Sequence, residues 1–138
     1  MSFFEAAFTL VVGIEAGLVS DPADPGGLTK YGISKRAYPD LDIANLTLED
    51  AKAIYQRDYW DRCGCDSHGW ERALCLFDCA VNQGQGFARS LNIKANDTVE
   101  FMSQRALRYA GTGEFERFGH GWMVRLFKIM KQAQVTPQ

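Results

Sequence analysis

No stretch of this chain approaches the roughly 18–20 consecutive apolar residues that a membrane span needs. No lysine or arginine stands ahead of the apolar run MSFFEAAFTLVVGI at residues 1–14. Glu5 interrupts that run and no small-residue cleavage pattern follows it, so it does not read as a secretory leader. The expectation is a protein made in the cytoplasm without a recognisable signal peptide and without stable membrane insertion. Strand patterns are nearly missing as well, limited to a short β pair near Leu18–Val19 and Tyr31–Ile33. No glycine-rich phosphate loop follows a strand and the net charge is −2, which speaks against nucleotide cofactors and nucleic acid. Histidine is scarce: His68 and His120 sit in loop-like contexts, and no Ser or Cys nucleophile arrangement assembles around them. The acids do not alternate as the ligands of an EF-hand do.

What is present suits one globular domain spanning residues 1–138, with 46% apolar and 23% charged residues. Charge is uneven along it. Residues 1–100 carry nine Lys/Arg against fifteen Asp/Glu, and residues 101–138 carry six against two. The basic C-terminal third reads either as a solvated helical face or as a surface for an anionic polymer. Cys63, Cys65, Cys75 and Cys79 cluster near His68, but C-x-C followed by C-x-x-x-C lacks the knuckle spacing of a zinc site. Reduced thiols packed as small hydrophobes are favoured over a metal site or a disulfide formed after export.

Helical spacing dominates. Phe4, Phe8 and Val11, with Phe3, Ala7, Leu10 and Ile14 beside them, predict an amphipathic helix from about Ser2 to about Ala16, stopped by Gly17. Ser34 caps a short turn through Ala37. Thr47 with Asp50 forms a capping-box pattern that opens a helix through about Asp61. Trp70, Ala73, Leu74, Phe77, Ala80 and Val81 mark another, closed by Gly84 and Gly86, and Asp97 with Glu100 opens a further one. The last segment holds Phe115, Phe118, Trp122, Leu126 and Ile129, with Gly119 and Gly121 expected to break it in two, before a frayed tail at 133–138. The architecture read from this pattern is mostly α, a compact bundle with one long loop after its first helix.

That loop carries the chemistry. On a helical net Glu15 falls on the Phe4, Phe8, Val11 stripe, where lost hydration would raise its pKa as a general acid near neutral pH requires. Asp21 and Asp24 follow within ten residues on a segment stiffened by Pro22 and Pro25. One dry and one wet carboxyl group are the kit for cleaving a glycosidic bond. Thr29 adds a hydroxyl able to orient a water, and Gly26-Gly27 allows backbone to approach a sugar ring. The bland alternative is a Glu15 that points into water as the helix frays. Trp60 and Trp122 are read as core before sugar-stacking, and Arg105, Arg108 and Arg125 as exposed basic positions before wall contacts.

The run EAGLVSDPADPGGLTKYGIS at residues 15–34 resembles the N-terminal signature of glycoside hydrolase family 108, the bacterial and phage N-acetylmuramidases. That signature reads Glu-Gly-Gly, a spacer, Asp-Pro and a second Asp, Gly-Gly, Thr, then Tyr-Gly-Ile. AKAIYQRDYWDRCG at 51–64 and FDCAVNQG at 77–84 are similar to later family segments. Residues 104–125, QRALRYAGTGEFERFGHGWMVR, resemble the family's peptidoglycan-binding-type segment with its Gly-Trp and Arg. About residues 8–130 are covered.

The resemblance implies a lysozyme-like helical bundle with its catalytic part at 8–91 and a shortened C-terminal region at 94–132. It implies Glu15 as catalytic acid, Asp24 in preference to Asp21 as second carboxylate, and Thr29 beside them. Asp21, Tyr31, Asp78, Asn82 and Gln83 would then meet the saccharide. The substrate implied is the bond between N-acetylmuramic acid and N-acetylglucosamine in peptidoglycan glycan strands. The enzyme would need no cofactor or metal, would act as a monomer in the periplasm or cell wall, and would leave the cytoplasm with help from a holin or secretion system. Two departures stand out: Ala16 where the family has Gly, and the abrupt passage from Leu91-Asn92 to Asp97. Lytic transglycosylation, which would need Glu15 but not Asp24, and a catalytically silent wall-binding domain are the alternative readings.

Overall fold

The computed structural model describes residues 2–13, 18–20 and 27–138, with backbone alone for 18–20. Ser2 caps the first helix, α1 (Phe3–Val11), its Oγ accepting the Glu5 amide at 3.1 Å. Phe4, Ala7, Phe8 and Val11 face the core, as their spacing predicts. The helix does not continue to about Ala16. Its helical run stops at Val11, the Val12 and Gly13 amides both turn to the Phe8 carbonyl, and Gly13 takes φ +78°. Glycine adopts that left-handed conformation without a Cβ clash and so ends the helix there. The helical net that set Glu15 on the apolar stripe depends on residues 14–17, which lie outside the described residues.

Three short strands follow in one antiparallel sheet of order β1-β2-β3: β1 (Leu18–Ser20), β2 (Leu28–Lys30) and β3 (Ile33–Ser34). Leu18 pairs with Lys30, Val19 with Thr29 and Ser20 with Leu28. The expected partner of Leu18–Val19 was Tyr31–Ile33. Instead Tyr31 and Gly32, at φ 52° and 77°, form the two-residue turn between β2 and β3, where both central residues need positive φ. Ser34 then caps the next turn through the Ala37 amide at 3.1 Å.

The capping box of α2 (Leu48–Tyr55) is complete: Thr47 and Asp50 exchange both bonds at 3.1 Å. A π-helical turn, Gln56–Asp61, extends it to the expected end. Within that turn Trp60 is fully buried, its indole N–H donating to Asp66 Oδ1 at 2.8 Å. Trp60 packs edge-on against Phe4 and Phe77, and Phe8 meets Tyr55 the same way. Burying each such ring contributes about 1.5–3 kcal/mol, with about 0.5–1.5 more for the edge-to-face geometry.

The axis of the molecule is α3 (Trp70–Gln83), buried on nearly every side because α1, α4, α5 and α6 all pack against it. Gly84, at φ +96°, ends it, and α4 (Gln85–Lys94) starts at once. The sequence reading stopped at Gly84 and Gly86 and gave no helix there. Only Ala88 and Leu91 of α4 are buried, too few for a visible stripe, and Gly86 lies inside its first turn. Asp97 caps α5 (Thr98–Ala110) through the Glu100 amide at 2.8 Å. The last helix, α6 (Phe115–Ala133), is continuous, which corrects the expected break at Gly119 and Gly121. Gly119 lies under the Phe115 ring, where a Cβ would come within 2.7 Å of a ring carbon. It permits close packing and does not interrupt the helix.

Candidate active site

The hairpin carries the part of the site that is described. Thr29 occupies the middle of β2, opposite Val19 on one side and Ser34 on the other, and is half-buried. The connection from Ser20 to Leu28 contains Asp21 and Asp24. These two residues and Glu15 lie outside the described residues. Tyr31 heads the β2–β3 turn, half-buried, with the Lys30 ammonium 5.7 Å from its ring centre.

Two ties hold the hairpin against the helices. Tyr55, from α2, donates its hydroxyl to the Tyr31 carbonyl at 2.8 Å, and burial pushes its phenol pKa up, so the donor proton stays in place. Lys30 Nζ donates to the Ala44 carbonyl at 3.2 Å. A third tie anchors the chain beyond β3: Tyr38 donates to Asp58 Oδ2 at 2.7 Å, while Arg57 pairs with the same carboxylate at 2.7 and 2.9 Å. The Arg57 bonds, helped by Tyr38, hold Asp58 down at about 2, and burial with the same contact raises Tyr38. Sequence reasoning missed this Tyr38–Asp58 link, which spans two elements with no local signature.

Asp78, expected at the saccharide groove, is fully buried in α3. Arg105 Nη2 holds its Oδ2 at 2.8 Å, and Arg125 holds Oδ1 through Nε and Nη2 at 3.0 and 2.7 Å. Gln83 is committed in the same cluster, accepting from Arg105 Nε at 2.6 Å and donating to the Arg105 carbonyl at 3.1 Å. Asp78 thereby braces α3 against both α5 and α6, and Gln83 braces it against α5. A buried carboxylate needs such partners, since leaving it unpaired costs several kcal/mol. Asn82 differs: it is exposed, its Nδ2 folds back onto Asp78 Oδ1 at 3.1 Å, and its amide oxygen accepts nothing among the described residues. Of the three it is the one that is exposed.

Trp60 is core, and Trp122 is half-buried, stacked on Tyr109 at 4.6 Å. Arg105 is fully buried, correcting its reading as an exposed basic position. The four cysteines are buried free thiols, and among the described residues no three His, Cys, Asp or Glu side chains group as a metal site. No described helix is long and apolar enough to cross a membrane.

Residues 8–84 match the family described as Glycosyl hydrolase 108. The fold is similar to that of SagA from Brucella abortus, 25% identical, with a TM-score of 0.80 over 95% of this chain and 93% of that one. No curated protein matches the chain.

Proposed function

The chain belongs to glycosyl hydrolase family 108, and from that premise we propose that it is a peptidoglycan hydrolase, an N-acetylmuramidase that cleaves the bond between N-acetylmuramic acid and N-acetylglucosamine. Glu15 is the general acid that protonates the departing oxygen. Asp24, on the β1–β2 connection, is the second carboxylate, and Asp21 is a saccharide contact. Thr29 orients the attacking water, and Tyr31 and Asn82 offer polar groups to the N-acetyl sugars. The observation that carries the reading is the family match, which spans the whole Glu15, Asp24, Thr29 order. The antiparallel pairing of Val19 with Thr29 supports it, because it closes the acid-bearing connection into a hairpin held on the helical core by Tyr55. The enzyme works as a monomer, on cell-wall glycan, without a metal.

Digestion of purified peptidoglycan by wild type and Glu15→Gln, followed by analysis of the sugar ends, tests this. Reducing N-acetylmuramic acid ends from the wild type and a loss of about 100-fold or more in the variant are expected. Equal rates would end the assignment of Glu15. Anhydro-sugar ends, with activity kept in Asp24→Asn, would replace hydrolysis by lytic transglycosylation, and sacculus binding without bond cleavage would make the protein a wall-binding domain.

A further inference from the structure

The guanidinium of Arg125, midway along α6, joins three helices. Besides its two bonds to Asp78 of α3, its Nη2 donates to the carbonyl oxygen of Val11 at 3.0 Å. Val11 is the last residue of α1, and helix-terminal carbonyls lack the amide partner that interior ones have. A cation placed there also meets the negative end of the helix dipole. Asp78 cannot swing to follow Arg125, because Arg105 fixes its other oxygen and both of those side chains are fully buried. The arrangement is a strut running from the central helix, through Arg125, to the end of α1. Beyond that end the chain makes a stretched bond, Gly13 amide to Phe8 carbonyl at 3.3 Å, and Gly13 is the most permissive residue type. Glu15 follows two positions later.

We infer that Arg125 is a positioning residue for glycoside cleavage: it fixes the direction in which the chain leaves α1 through Val12 and Gly13, two positions ahead of the acid in sequence. This rests on the muramidase reading with Glu15 as acid. Lysine does not replace it, because one ammonium lacks the planar fork that serves Asp78 Oδ1 twice and the Val11 carbonyl once. Arg125 is also partly open to solvent. Its side chain is 34% exposed, and a cleft of about 270 Å³ between α1 and α6, lined by Leu10, Gly121, Val124, Lys128 and Ile129, opens beside it. A guanidinium ion from solution can therefore enter the space left when the side chain is cut back.

The test uses Arg125→Ala and Arg125→Lys in the full chain, assayed on soluble peptidoglycan fragments. Arg125→Ala should lose about tenfold or more in kcat with KM little changed, and millimolar guanidinium, well below denaturing levels, should restore much of it. Amide exchange should quicken at Val12 and Gly13 and stay unchanged in α5. Wild-type kcat in either variant, or a loss that tracks the unfolded fraction and is not rescued, would overturn the proposal. Should Arg125→Ala fail to fold, Arg125→Lys still decides, since it keeps a cation on Asp78: a folded protein with reduced kcat supports the strut, and wild-type kcat refutes it. A Glu15→Gln protein as active as wild type overturns a different claim, the identity of the acid.

Discussion

The Tyr55 hydroxyl sits directly over Gly32 while donating to the carbonyl of Tyr31 at 2.8 Å, so one side chain of α2 both bonds the β2–β3 turn and fills the space a Cβ at Gly32 would need. The glycine is required twice, by its φ of +77° and by the hydroxyl pressed against it. The hairpin is thereby seated on the aromatic core that Tyr55 shares with Phe8 and Phe77.

Tyr55→Phe should cost about 1 kcal/mol of stability from the lost bond. Gly32→Ala should cost more, about 1–3 kcal/mol, from backbone strain added to the clash. Because the clash is with the hydroxyl, Gly32→Ala should be less damaging in the Tyr55→Phe background than in wild type. Denaturant unfolding of the four proteins measures that coupling, and strict additivity would show that the two groups do not press on one another.

Asp58 carries a pH signature. Its pKa is held at about 2, below the ordinary carboxylate value, chiefly by Arg57, so its contribution is present above about 4 and is lost as pH falls toward 2. Arg57 is 68% exposed, which limits the effect to about 1 kcal/mol after solvent screening. Asp58→Asn should be less stable than wild type at pH 7, and the two unfolding curves should converge near pH 2. A gap that persists in acid would mean that packing around Tyr38, and not charge, holds the link.

Much of this fold is legible in the sequence because its signals are local. Thr47 and Asp97 announce two helix starts, and each makes the cap its spacing predicts. Glycine is where the reading failed, because one residue type serves opposite ends. Gly13 stops a helix that the apolar stripe seemed to carry further, whereas Gly119 lies inside a helix it seemed to break. Asp78 shows the same limit for the site. The family resemblance assigns this acid to the saccharide, and only the two arginines from α5 and α6, far along the chain, reveal that its carboxylate is held in the interior.

The two glycines of α6 should separate experimentally. Gly121 has open space where its Cβ would be, so Gly121→Ala should stabilise the protein by about 0.5–1 kcal/mol through helix propensity. Gly119→Ala gains the same propensity but drives a methyl into the Phe115 ring, and a net loss of about 1–3 kcal/mol is expected. Phe115→Leu should soften that loss. Equal effects at the two positions in thermal unfolding would mean that the Phe115 ring moves aside at little cost.

The cysteines give a last contrast between position and reactivity. All four are buried, and burial pushes Cys75 up to about 12 and Cys79 to about 11, although Arg105 pulls each of them down in part. Since the thiolate is the reacting form, these two thiols have almost none of it at neutral pH and no path to reagent. The native protein should react slowly with an aromatic disulfide reagent, at a rate set by opening of the structure, and denatured protein should release four equivalents at once. Rapid labelling at Cys75 or Cys79 in the folded state would mean that α3 parts from α4 and α5 far more often than its buried faces imply.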